Sequence, residues 1–214
     1  LRDERGLAGS GSVLAQAVEG IRYAARHPGI GPILIVVIAI ALGVKPVLEL
    51  FPAVNGAVYK MDATGLGWMM SVSAVGAVLG SIWLAQRGTS VGLTRYLMGN
   101  LIFAALSLFG FCATENYVLG LIGVFFIGIA VVIGGTGTQA LMQNAVDGAM
   151  RGRVMSLYGM IYRGVPALGA LAIGWSAAWV GLQVAIAFGG VVCIGTFIWM
   201  LSRRQTVTRA LEGE

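Results

Sequence analysis

Charge is what this sequence has least of. Lys, Arg, Asp and Glu together make up 11% of its 214 residues, where a water-soluble domain carries about one quarter. Too few polar side chains exist to cover a water-facing surface, which excludes an ordinary soluble fold. Histidine occurs once, at His27, and cysteine twice, at Cys112 and Cys193, with no CxxC spacing and no histidine beside either. That scarcity argues against a metal centre or a disulfide framework. Both cysteines lie in apolar stretches and read as small buried hydrophobes.

What is present is apolar. Hydrophobic residues are 57% of the chain, glycine numbers 33, and the mean hydropathy is +0.86. A helix rises about 1.5 Å per residue, so crossing about 30 Å of hydrocarbon takes roughly 20 residues. Six runs of that length fall at 30–51, 64–86, 94–113, 117–141, 154–175 and 181–201. Membrane strands would instead show segments of about ten residues alternating in polarity. An all-α membrane protein of six transmembrane helices within 28–201 is therefore expected. Residues 1–12 are polar and glycine-rich, a linker. From 13 to 27, Leu14, Ala17, Val18, Ile21 and Ala25 share one helical face and Gln16, Glu19, Arg22 and Arg26 the other. This is an amphipathic cytoplasmic helix that Pro28 should end. Residues 202–214 read as a cytoplasmic tail. Without a leading Met or a cleavable signal, residue 1 is expected to lie inside a longer chain.

The basic residues orient the bundle. With both termini in the cytoplasm, eleven Lys and Arg fall in cytoplasmic segments and Lys60 alone in an outer loop, leaving Lys45 and Arg163 inside spans. The net charge of +5 then needs no nucleic acid. Small residues line the second span (Ser73, Gly76, Ala77, Gly80, Ser81) and the fifth (Gly159, Gly164, Gly169, Ala170, Gly174), where close packing within the bundle is expected.

Lys45 and Glu49, four residues apart around Pro46, sit at membrane depth in "GVKPVLELFP". Each charge near a helix centre costs about 2.5–3.5 kcal/mol in hydrocarbon, so both should face a cavity, a partner or each other. The i, i+4 spacing puts them on one face, and Pro46 predicts a kink with a freed carbonyl. Arg163 lies near the middle of the fifth span, with Ser156 and Gly159 on its face, Pro166 following, and Tyr158 and Tyr162 as an i, i+4 pair. The fourth span ends in an uncharged polar cluster, Thr136, Thr138, Gln139, Gln143 and Asn144. Two readings stand: Glu49 forms a buried ion pair with Lys45 or Arg163 that only holds helices together, or these groups line a polar translocation site. The polar cluster likewise either binds a ligand or stitches helices.

Enzyme signatures are missing. No His–Glu metal motif and no phosphate loop with its lysine occurs, and Gly9-Ser10-Gly11-Ser12 is linker composition. A membrane-embedded serine protease would lack its histidine, and the paired Asn-Pro-Ala signatures of a water channel are absent. Neither catalysis nor a cofactor is expected.

Three stretches carry a resemblance. "EGIRYAARHPGIGPIL" resembles the linker helix and seventh-span entry of major facilitator superfamily transporters. "ATGLGWMMSVSAVGAVLGS" is similar to their eighth span. "AMRGRVMSLYGMIYRGVPALGALAIGW" looks like the loop and eleventh span of the branch containing enterobactin and macrolide exporters. One departure is local: in "GSIWLAQRGTSVG" Arg87 and Gly88 stand, but Gln86 replaces the expected acidic residue, which argues against a charge latch there. The resemblance implies the C-terminal half of a twelve-helix fold, built as 3+3 inverted repeats and partnered by an N-terminal six-helix half. It implies a bacterial inner-membrane exporter of a siderophore- or drug-like small molecule, driven by protons. The first, second, fourth and fifth spans would line the pathway, with Lys45, Glu49, Gln139 and Arg163 near it and Glu49 as proton carrier. The competing reading is a stand-alone six-span protein that dimerises as a pore or scaffold.

Overall fold

The computed structural model describes residues 20–24, 26–87 and 92–212. The linker at 1–12 and the amphipathic helix at 13–19 lie outside these residues, as does the loop at 88–91. Residues 20–24 are helical, and the chain turns at 27–29. Eight helices follow: α1 (Ile30–Gly43), α2 (Pro46–Glu49), α3 (Phe51–Ala57), α4 (Ala63–Arg87), α5 (Leu93–Cys112), α6 (Tyr117–Ala145), α7 (Gly148–Val180) and α8 (Leu182–Glu212). The described residues contain no strand. Among the described residues six segments are long and apolar enough to cross a membrane, the first formed by α1 and α2 together.

Side-chain caps set where several helices begin. The first N–H groups of a helix lack partners within it. At α1, His27 Nδ1 accepts from the backbone N–H of Gly29 and Ile30, both at 3.2 Å. The lone histidine is thus a helix-entry device. Asp62 Oδ1 accepts from Thr64 and Gly65 at 3.0 and 3.2 Å ahead of α4. Asn116 Oδ1 does the same for Val118 and Leu119 at 3.0 and 3.2 Å in α6.

Helix ends differ from the apolar runs. α7 exceeds 154–175 at both ends, and α8 continues through the basic segment to Glu212. Hydropathy marks only the part of a helix at hydrocarbon depth. Backbone hydrogen bonding continues until a cap or a breaker stops it.

The first span breaks where Pro46 predicts. Lys45 N–H reaches five residues back to the Ile40 carbonyl at 2.9 Å, while Val47 and Leu48 bond only three residues back, at 3.2 and 3.1 Å. The helix loosens, then tightens, around a residue with no N–H to give.

Packing is paired. α4 runs along α6 and α7 along α1; α5 packs on α6 and α8 on α1; α5 also meets α8. The second span thus stands to the fourth as the fifth stands to the first. The α4–α6 seam is a backbone contact. A Cβ at Gly76 would strike the Phe125 carbonyl, one at Gly128 the Ser73 carbonyl, and one at Gly80 would lie 3.2 Å from the Ile129 carbonyl. The GxxxG at 76–80 therefore packs inside the bundle. α1 and α8 cross glycine on glycine, Gly43 against Gly189, where a Cβ on Gly43 would come within 2.8 Å of the Gly189 carbonyl. The fifth-span expectation needs correction. Gly169 does let α7 approach the Pro46 ring and the Leu42 carbonyl, so a helix meets the carbonyl at the kink. Gly159, Gly164 and Gly174 face open space. Periodicity alone does not tell a packed small-residue face from an open one.

Cys193 is buried, and Cys112 half-buried; both thiols are free.

Candidate functional site

Break, stack and polar cluster meet at one place. Lys45 leaves the kink half-buried, and its Nζ donates to the Tyr162 carbonyl of α7 at 2.6 Å. The same ammonium sits 4.0 Å from the centroid of the Tyr162 ring, a cation–π geometry that supplies the negative face a desolvated cation lacks elsewhere. Tyr162 is stacked on Tyr158, centroids 5.5 Å apart and planes 10° from parallel. Both phenols are pinned to α6: Tyr158 donates to the Gly135 carbonyl at 2.8 Å and Tyr162 to the Val131 carbonyl at 3.2 Å. Gly135 makes room for them, since a Cβ there would collide with the Tyr162 hydroxyl. The polar residues of this segment stand out in the sequence, whereas the socket that Gly135 makes for Tyr162 does not.

These groups wall a cleft of about 510 Å³ between the kinked first span, α6 and α7, lined by Lys45, Gln139, Gln143, Met155, Tyr158, Gly159, Tyr162 and Arg163. Six of the ten candidate residues therefore share one cleft. Met155 and Gly159 belong to it too, and their apolar character hid them as site residues.

The other four do not line it. Glu49 is exposed beyond the kink. Among the described residues no ion pair joins it to Lys45 or Arg163, so the buried-pair reading is not what the structure shows: the Lys45 ammonium takes a carbonyl and a ring instead. Thr138 is fully buried and donates back to the Gly134 and Gly135 carbonyls at 2.6 and 2.9 Å. Its hydroxyl serves its own helix, as Ser and Thr hydroxyls in membrane helices commonly do. Thr136 and Asn144 are exposed on α6 outside the cleft. The second span was expected to line the site, yet α4 gives the cleft no residue.

Chemically, the cleft presents two cations, two amides and an aromatic stack. Arg163 is exposed, with five N–H donors in a fixed fork, while the Lys45 ammonium is held in place. The arrangement suits an anionic or hydrogen-bonding ligand with a flat apolar part.

A family model described as Major Facilitator Superfamily matches residues 20–214, and the chain belongs to that superfamily. It is an integral membrane protein of a transporter family, with six helices among the described residues long and apolar enough to cross a membrane. Comparison with curated proteins gave no match, and comparison with solved structures gave none.

Proposed function

We propose that this chain is the C-terminal half of a secondary active transporter that moves a small molecule by alternating access, as a proton-coupled exporter of siderophore or drug type. The observation that carries the reading is the cleft at Lys45 and Arg163. Arg163, Glu49, Thr136 and Gln143 are all exposed on the bundle. Ionised groups at membrane depth face protein or water, since hydrocarbon contact costs about 2.5–3.5 kcal/mol for each. A partner N-terminal six-helix half covering this face would enclose the cleft and place it between two moving bodies. The exchange of packing partners, α4 on α6 and α7 on α1, supports a 3+3 inverted repeat. Lys45, Gln139 and Arg163 would bind substrate, with Gln143, Tyr158 and Tyr162 as supporting contacts. Glu49, four residues beyond Lys45 and exposed outside the kink, is the proton carrier in this reading. Both termini would lie in the cytoplasm of a bacterial inner membrane, given the eleven-to-one distribution of basic residues.

The test is efflux by the full-length protein in proteoliposomes under an imposed pH gradient, against a panel of siderophores and drugs. Gradient-driven movement of at least one compound is expected, lost in Arg163→Gln. Full proton-driven transport in Glu49→Gln would remove Glu49 from its role, and indifference to both Lys45→Gln and Arg163→Gln would remove the cleft.

A further inference from the structure

A second cleft among the described residues lies on the outside of α4, α5 and α6. It measures about 700 Å³ and is lined by Leu79, Trp83, Phe103, Ile129 and Ile133, with glycines 80 and 99, Asn100, Tyr96 and Arg95. No acidic residue is among its lining residues. Its floor is fixed, because the buried Asn100 amide donates to the Ala130 carbonyl at 3.0 Å and ties α5 to α6. Its charge is confined to one end, where α4 stops and α5 starts. There the Arg87 guanidinium lies 3.5 Å from the Tyr96 ring centroid and 5.8 Å from that of Trp83, and the two rings meet edge to face at 5.6 Å. Arg95 stands exposed beside them. Gln86, where an acid was expected, leaves this pair of arginines without a carboxylate at that position.

We infer that this groove is a binding site for an anionic phospholipid, with the headgroup phosphate on Arg87 and Arg95 and acyl chain laid over Leu79, Phe103, Ile129 and Ile133. Charge complementarity selects the occupant. A groove that is cationic at the membrane surface and apolar below it matches the polarity profile of one lipid in the adjoining leaflet. A neutral apolar helix would leave the arginines unused. Phosphate takes charge-assisted hydrogen bonds from guanidinium, and each basic group near a membrane surface favours anionic lipid by about fivefold in affinity. Arg87 is stacked in position before any lipid arrives, which reduces the ordering cost of binding. The inference needs only that the chain spans a membrane; it is independent of which substrate is moved.

Trp83 lines the groove and reports on it. The full-length protein is reconstituted in phosphatidylcholine vesicles carrying a minor fraction of brominated phosphatidylglycerol or, in parallel, brominated phosphatidylcholine. The quenching present in wild type and absent in Trp83→Phe belongs to Trp83. The expected result is quenching by the phosphatidylglycerol at about fivefold or more lower mole fraction than by phosphatidylcholine, with the preference abolished in Arg87→Gln/Arg95→Gln. Gly99→Leu should block it as well. A Cβ at Gly99 meets nothing within 4 Å, so this variant fills the groove without disturbing the core, and it decides the matter alone if the arginine variant misfolds. Equal quenching by the two lipids, or a preference that survives both variants, overturns the inference. So does protection of Trp83 from both lipids, the result expected if a second copy or a partner helix occupies the groove.

Discussion

Two seams of the bundle, α4 on α6 and α7 on α1, occupy corresponding places and are built in opposite ways. In the first, Gly76, Gly80 and Gly128 bring backbone to backbone, and nothing of the polar cleft intervenes. In the second, Gly169 brings α7 against the Pro46 ring and the Leu42 carbonyl, while Gly159 and Gly164 meet nothing within 4 Å and the Lys45–Tyr162 contact borders the cleft. The contrast is physical. In lipid, helices associate through close van der Waals contact because no hydrophobic drive is available. A seam of interlocked glycines therefore holds its two helices as one body. A seam with open glycines beside a cation and two stacked rings forgoes part of that contact and borders a cleft.

Substitutions can break this comparison. The largest effect is expected from Gly76→Val. Its Cβ would strike the Phe125 carbonyl, and overpacking costs about 1–3 kcal/mol, more where backbone must move. Thermal unfolding in detergent should show a strongly lowered midpoint or no folded protein. Gly164→Val on the open seam should change stability by no more than about 0.5 kcal/mol; equal losses would erase the distinction. Next in size is Tyr162→Leu, which removes the ring under Lys45 and the hydrogen bond to Val131. A loss of about 1–3 kcal/mol is expected, with transport reduced beyond what the unfolded fraction explains. Tyr162→Phe keeps the ring and should recover most of the transport. The smallest effect is expected from Asn116→Ala, which removes the α6 cap remote from both seams. It should lower stability by about 1 kcal/mol and leave transport per folded molecule unchanged.

Much of the fold was legible in the residues. Six apolar runs became six spans because hydrocarbon admits little besides uninterrupted helices, and the break at Pro46 followed from a missing N–H. Helix ends were not legible: Asp62, Asn116 and His27 act through cap geometry, and hydropathy does not register a cap. The site was legible in its charges and amides, since Lys45, Gln139 and Arg163 stand out against an apolar background. Their partners were not. That Lys45 would choose a carbonyl and a ring over Glu49, and that Gly135 would make room for a tyrosine hydroxyl, depends on how α7 rotates against the kink. That rotation is a tertiary fact. Spacing alone placed Glu49 beside Lys45 on one face; the backbone from Lys45 to Leu48 tightens to three-residue hydrogen bonds, and among the described residues the two form no ion pair.

The central claim is that the α1–α7 seam holds a water-filled passage, while the outer face of α5 sits in lipid. Thiol modification separates the two, because a thiol reacts as thiolate and hydrocarbon suppresses its ionisation. In the full-length protein carrying Cys112→Ala and Cys193→Ala, a single cysteine is placed at Gly159, which lines the cleft, or at Leu106, which is 63% exposed on the apolar face. With a membrane-impermeant thiol reagent supplied on either side in turn, Gly159→Cys should be modified about tenfold or more faster than Leu106→Cys. Equal, slow modification at both positions would show that Lys45 and Arg163 face no aqueous passage.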